Sequence, residues 1–152
     1  MNTSKTTDIV IKPLPFEDIP LAAESEILYL ESEGWSAQAI VDTLKLNGHY
    51  FAAYINGKFA GHAGLTAVSG EGYINNVVTV AHFRKMGVGT QLIKALIQFA
   101  HENKLEFLTL EVRESNTTAI HLYEKHNFKE CGKRKRFYSN PTEDAIIMTL
   151  YF

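Results

Sequence analysis

Arg84-Lys85-Met86-Gly87-Val88-Gly89-Thr90 is a basic, glycine-bearing segment between an apolar run and a helical stripe. A strand that passes through such a loop into a helix leaves several backbone N–H groups unpaired, aimed at one spot beside the positive end of the helix dipole. That spot attracts phosphate; Gly87 and Gly89 let a ligand approach the backbone, and Arg84 and Lys85 add charge. A structural turn would need the two glycines equally. The segment is not a nucleotide P-loop, because GxxxxGK followed by Ser or Thr is absent. Nor is it a full GxGxxG dinucleotide fingerprint, because Leu92 takes the last glycine position. A second point of interest is Glu111, where strand alternation puts Phe107, Thr109, Glu111 and Arg113 on one side and Leu108, Leu110 and Val112 on the other. Glu is depleted from strands and costly to bury alone. Glu111 reads equally as a general base and as half of an ion pair with Arg113 or another base. His121 and His126 lie five apart, off the i, i+4 spacing that sets two ligands on one helical face, and no Cys or acid cluster completes a set, so no metal is expected.

The elements that position these residues follow from a periodicity that switches between strand and helix repeats several times, which indicates an α/β or α+β fold. Residues 9–12 read as a first strand. Asp18 is placed to cap a helix with Pro20 in its first turn, and Ile19, Ala23, Ile27 and Leu30 recur at helical spacing. Ser36 caps a second helix, with Trp35 and Ile40 spaced as a hydrophobic staple. Residues 50–55 and 59–68 are strand-rich and joined by Asn56-Gly57, whose tolerance of positive φ suits a two-residue hairpin turn. After a turn at 69–72, residues 73–80 form a strand; Val88, Leu92, Ala95, Leu96 and Phe99 then make one stripe of a long helix. A strand at 107–112, a helix at 116–126, a short strand at 128–131 and a last strand at 145–151 complete the chain.

The 152 residues argue for one domain, 1–152, with room for one site. With 45% hydrophobic and 21% charged residues, 10 Gly and 4 Pro, the composition excludes a disordered, collagen-like or low-complexity chain. The longest apolar run, 50–55, is far short of the roughly 18 residues a membrane span needs. Residues 1–8 lack a secretory apolar stretch, and Cys131 has no second cysteine for an internal disulfide; a cytoplasmic protein is expected. The net charge of −2 predicts no strong general attraction to nucleic acid or anionic membrane, yet it hides an acidic front and a basic tail segment. Glu17, Asp18, Glu24, Glu26, Glu31, Glu33 and Asp42 occupy 13–44 without a Lys or Arg, whereas 129–136 carries five bases and one acid. Either run reads as a solvated face when taken alone, and the Lys133 to Arg136 run suits a strand edge protected by charge.

Read as R-x-x-G-x-G after a strand, the Arg84 segment resembles the acyl-CoA loop of the GCN5-related N-acetyltransferase (GNAT) superfamily, and the order of elements agrees from Ile9 onward. Downstream, Leu110-Glu111-Val112-Arg113-Glu114-Ser115-Asn116, Ala119-Ile120, Leu122-Tyr123-Glu124, Phe128 and Glu143-Asp144-Ala145-Ile146-Ile147-Met148 are similar to the bacterial ribosomal-protein-alanine N-acetyltransferase family. Glu71 and Asn76 also sit where that family places an acid and an Asn before its loop.

The resemblance implies a mixed, mostly antiparallel bent sheet with flanking helices, whose splayed central strands admit the pantetheine arm of acetyl-CoA. It implies that the backbone of Val77, Val78 and Thr79 pairs with that arm and that Arg84, Lys85, Met86, Gly87, Val88, Gly89 and Thr90 hold the pyrophosphate. Asn116 would reach the pantetheine, although Asn is equally suited to cap a helix there. An amine attacking a thioester must lose a proton, the oxyanion needs donors and the departing thiolate needs a proton. The resemblance implies Glu111 as the base, direct or through a water, Tyr123 as the acid and a backbone N–H near Val78 as the oxyanion donor. Tyr123 also reads as a core tyrosine beside Ile120 and Phe128. An α-amine, with pKa ~7.7–8.0 against ~10.4 for Lys, needs the least help from such a base.

Three departures from the family touch the argument. Asn127 stands where a Gly usually precedes the Phe, and Asn is the next best residue for a left-handed helix end. Gly34-Trp35-Ser36 lacks the family's Pro, and Phe137-Tyr138 falls where two tyrosines are usual. In this fold Glu31 and Glu33 beside Trp35, with Tyr138, would border the acceptor and attract a cationic amine or a basic ribosomal protein. The expected function is acetyl transfer from acetyl-CoA to the N-terminal α-amine of a protein such as ribosomal protein S18, by a monomer or weak dimer that binds neither membrane nor nucleic acid directly. The alternatives are a small-amine acetyltransferase acting on a polyamine, aminoglycoside or amino acid, and a non-catalytic acyl-CoA sensor.

Overall fold

The structure is a computed structural model that describes residues 8–30 and 33–152. Among the described residues, seven strands form one mixed sheet in the order β1-β2-β3-β4-β5-β7-β6. They are β1 (Ile9–Pro13), β2 (Gly48–Ile55), β3 (Lys58–Val68), β4 (Glu71–Thr79), β5 (Phe107–Arg113), β6 (Lys129–Tyr138) and β7 (Glu143–Tyr151). All neighbours are antiparallel except β4 and β5. Helices α3 (Val88–Glu102) and α4 (Thr117–Lys125) supply apolar side chains to one core, in which Leu92, Ile93, Leu96 and Leu108 are fully buried. Each such side chain stabilises the fold by about 1.5–3 kcal/mol. Helices α1 (Ile19–Leu30) and α2 (Ala37–Lys45) supply a second core built on Ile19, Ala22, Ala23, Ile40 and Tyr50.

Several local expectations are met by the geometry. Asn56 and Gly57 both have positive φ and close the β2–β3 hairpin. Ser36 caps α2 by accepting from the Ala39 N–H at 3.1 Å, and Trp35 packs on the core that contains Ile40. Asn127 ends α4 at φ 70°. On β5, Leu108, Leu110 and Val112 are buried and Glu111 is exposed, as the alternation requires.

Other expectations are corrected. The α1 face is rotated from its apolar stripe: Ile27 is 61% exposed, and Glu26 is fully buried in its place. Asp18 accepts a hydrogen bond from the Tyr54 hydroxyl across to β2. Strand β4 begins at Glu71, so the preceding turn is two residues shorter than expected. The short strand at 128–131 is ten residues long and carries the whole basic run, because β7 continues to pair with it as the sheet's edge.

One irregularity opens the sheet. Strands β4 and β5 pair only at Glu71–Phe107, Gly72–Leu108 and Tyr73–Thr109. Just beyond, Gly64 of β3 faces Asn76 and Leu65 faces Ile74, so Asn75 is an extra residue in β4. A bulge bends the strand that carries it and sharpens its twist. Past Tyr73 the two strands part, and the gap between them is the floor of a cleft.

Candidate active site

The cleft has two connected hollows. The larger, about 730 Å³, runs from Val77, Val78 and Thr79 of β4 over Arg84, Lys85, Gly87, Val88, Gly89 and Thr90 to α4. Gly87 stands at the N-cap of α3 with φ 90°, where a side chain would be strained. The helical ladder first closes with the Gln91 N–H on the Gly87 carbonyl, at 3.1 Å. The amides of Val88, Gly89 and Thr90 therefore precede the ladder and open onto the hollow they line, the anion-receptive arrangement of a helix N-terminus. Met86 is not among the lining residues and is 45% exposed.

The smaller hollow, about 230 Å³, lies between the segment after α1 and the β6–β7 turn, with Glu33, Asn75, Asn76, Glu111, Arg113, Tyr138 and Asn140 in its wall. Glu111 faces it from β5, and the Arg134 Nε of β6 stands 3.3 Å from its carboxylate. The ion pair left open by the sequence is thus made with Arg134 rather than Arg113, and both partners are partly solvated, which weakens the pair. Burial first, then the Glu33 and Glu111 carboxylates, push the Tyr138 phenol up to about 12, so it stays neutral at physiological pH.

The two hollows meet at Tyr29, Leu30, Val77, Asn116, Ala119 and Tyr123. Tyr123 is nearly buried, and burial pushes its phenol well above the ordinary tyrosine value, keeping it a protonated donor. Of its two readings, Asn116 fills the helix cap. Its side chain caps α4, accepting from the Ala119 N–H at 3.1 Å, and it lines both hollows.

Of the expected acceptor-side residues, Glu33 and Tyr138 reach the smaller hollow. Trp35 does not; it packs on the second core, and Glu31 lies outside the described residues. Among the described residues, no group of three or more His, Cys, Asp or Glu side chains is placed to hold a metal ion. No described helix is long and apolar enough to cross a membrane.

Three features were missed in the sequence. Tyr29 of α1 bridges the cleft: its hydroxyl accepts from the Ala81 N–H at 3.0 Å, and the Arg84 guanidinium lies 5.1 Å from its ring centre. Arg113, read only as a partner for Glu111, is bound instead to Glu33 and Glu143. Glu26 is the third. Its Oε1 accepts from the Trp35 N–H at 2.7 Å and from Asn76 Nδ2 at 2.8 Å, while Oε2 lies 2.7 Å from His62 Nε2. Gly34 allows the loop to fold back this closely, since a Cβ there would stand 2.5 Å from the Glu26 carbonyl oxygen. Ser25, His62 and Glu26 follow the order of a hydrolytic triad. However, the Ser25 hydroxyl donates to the Ala22 carbonyl at 2.8 Å, and all three side chains are shut away from solvent. The cluster is a tie between α1, β3, β4 and the α1–α2 loop. The one available signal was a lone acid at a helical position that the stripe places beside the core.

Residues 15–128 match the family model described as Acetyltransferase (GNAT) family, and the chain belongs to that family. It is an N-acetyltransferase by descent, and the family's acetyl donor is acetyl-CoA. The chain is 30% identical over 144 residues to a putative ribosomal protein bS18-alanine N-acetyltransferase of Bacillus subtilis (strain 168), covering 93% of this chain and 95% of that protein. Among solved structures, the ribosomal-protein-S18-alanine N-acetyltransferase of Escherichia coli superimposes with a TM-score of 0.86 at 31% identity, over 95% of this chain and 94% of that one. A GNAT acetyltransferase from Elizabethkingia anophelis, solved with acetyl-CoA bound, gives a TM-score of 0.71 at 25% identity over 95% and 98% of the two chains.

Proposed function

We propose that the chain transfers the acetyl group of acetyl-CoA to the N-terminal α-amine of a protein, with the N-terminus of ribosomal protein bS18 as the reference acceptor. The observation that carries this reading is the junction of the two hollows, where Tyr123 lies between an anion-receptive helix N-terminus and a carboxylate-bearing pocket. The amides of Val88, Gly89 and Thr90, with Arg84 and Lys85, hold the pyrophosphate, and the parted edge of β4 at Val77, Val78 and Thr79 pairs with the pantetheine arm. The thioester then reaches the junction. Glu111 takes the proton of the incoming amine, directly or through a water, and Tyr123 returns one to the thiolate as it leaves. A backbone N–H near Val78 meets the oxyanion. The smaller hollow carries the carboxylates of Glu33 and Glu111, each beside one guanidinium, Arg113 and Arg134 respectively, and these carboxylates are the groups that would meet a cationic acceptor. The near-full-length similarity to the Bacillus subtilis protein supports the choice of a protein α-amine, and the cytoplasm, where ribosomal proteins are made, is the matching compartment.

Incubating the protein with acetyl-CoA, a bS18 N-terminal peptide and a panel of polyamines, aminoglycosides and amino acids tests the reading. One acetyl group on the peptide's α-amine is expected by fragmentation mass spectrometry. A silent peptide beside rapid small-amine turnover would replace the acceptor. Tight acetyl-CoA binding with no turnover of anything would make the chain a sensor.

A further inference from the structure

The guanidinium of Arg113 engages all five of its N–H donors, and they hold two chain segments, one at Glu33 and one at residues 139–143. Nε donates to Glu33 Oε2 at 3.1 Å and Nη2 donates to the same carboxylate, a fork onto the segment that follows α1. Nη1 donates to the Glu143 carboxylate and to the Pro141 carbonyl, each at 3.0 Å, and Nη2 donates to the Ser139 carbonyl at 3.0 Å. The group lies 4.6 Å from the ring centre of Tyr138. Saturated in this way, Arg113 has no donor left for a ligand. Its partners are instead the two opposing walls of the smaller hollow, Glu33 on one side and the β6–β7 turn with Tyr138 and Asn140 on the other.

We propose that Arg113 is a positioning residue for acceptor binding: it clasps the α1–α2 segment to the β6–β7 turn and thereby fixes the width of the groove over Glu111. The inference rests on reading that hollow as the acceptor's. Both ends of the clasp are partly solvated, so its contribution to overall stability is small, while its hold on the two walls is geometric. A lysine cannot replace it, because an ammonium has three donors on a flexible stem and no planar fork to reach carboxylates on opposite sides.

Steady-state kinetics with acetyl-CoA and the bS18 peptide decide the matter. In Arg113→Lys and Arg113→Gln, the acceptor KM rises roughly tenfold or more, the size expected for losing a charge-assisted fork, and acetyl-CoA KM stays within about twofold, well inside one such bond. Glu33→Gln, which keeps an accepting oxygen, falls between wild type and Arg113→Lys. An unchanged acceptor KM, or both KM values rising together, overturns the proposal. Trp35, the sole tryptophan, sits on the clasped segment and gives a readout that needs no acceptor. Acrylamide quenching of its fluorescence increases in Arg113→Lys at unchanged acetyl-CoA Kd, and unaltered quenching overturns the clasp. If the wild-type protein leaves the peptide unmodified while quenching responds, the acceptor assignment fails and the clasp stands.

Discussion

Along the larger hollow, the wall from Val77 to Thr90 is nearly continuous chain, and much of what it offers a ligand is backbone: a parted strand edge, then the free amides at the start of α3. Around the smaller hollow, Tyr29, Glu33, Asn76, Glu111, Arg113 and Tyr138 come from five segments, and what they offer is side chains held by one another. A ligand shared by a whole family can be met by a shape that any sequence of the fold provides. A ligand that distinguishes one member from another has to be met by residues that can change one at a time.

Substitutions can test that contrast. The largest effect is expected from Glu111→Gln, which should lower kcat by roughly 10²- to 10⁴-fold while acetyl-CoA affinity, measured by calorimetry, stays the same. Full turnover would remove Glu111 as the base. Glu26→Ala should reach both sides, because Glu26 ties the α1–α2 loop to Asn76 beside the parted edge of β4. Each buried donor left without its partner costs about 1–3 kcal/mol, readable in urea unfolding, and both KM values should rise together. If only one moves, the tie serves one hollow alone. Arg84→Ala is the counterpart of the Arg113 variants: acetyl-CoA KM rises by roughly tenfold, the loss of one charge-assisted contact, and the acceptor KM is unchanged.

The smallest effect is one of pH. A hydrogen bond from Ser115, then the one from Arg113, hold the Glu143 carboxyl below its ordinary value. Its contribution is present above the unfolded carboxylate's pKa and is lost as pH falls through the lower folded value. Trp35 quenching should therefore increase in acid before acetyl-CoA affinity is lost, and the reverse order would argue that the clasp is not the looser side.

What could be read in the sequence follows the same division. The hairpin at Asn56-Gly57, the caps at Ser36 and Asn116, and the α3 entry at Gly87 are decided by neighbours within a few residues, and each stands where its local chemistry puts it. The position of Glu26 beside the α1 stripe was legible but its burial was not, because its partners His62 and Asn76 are 36 and 50 residues away, and without them Ile27 is the better candidate for the core. The full length of β6 depends on β7 pairing with it, not on its own exposed and charged residues. Arg113 could be placed on the Glu111 side of β5, but its clasp depends on how the chain returns at Glu33 and at 139–143. The bulge at Asn75 left no trace in the alternation of apolar residues.

That silence has an evolutionary meaning. Ile74 and Val77 pack with the core of α3, while Asn76 turns to Glu26 and Val78 lies opposite His62. Residues 74, 76, 77 and 78 therefore alternate as if Asn75 were not there. Losing its codon would leave every other residue of β4 on its present face and remove only the bend. The bend that Asn75 introduces falls where the β4–β5 ladder stops, just past Tyr73. A length change of one residue, kept in frame, is thus all that distinguishes the bent β4 from a regular strand with the same two faces.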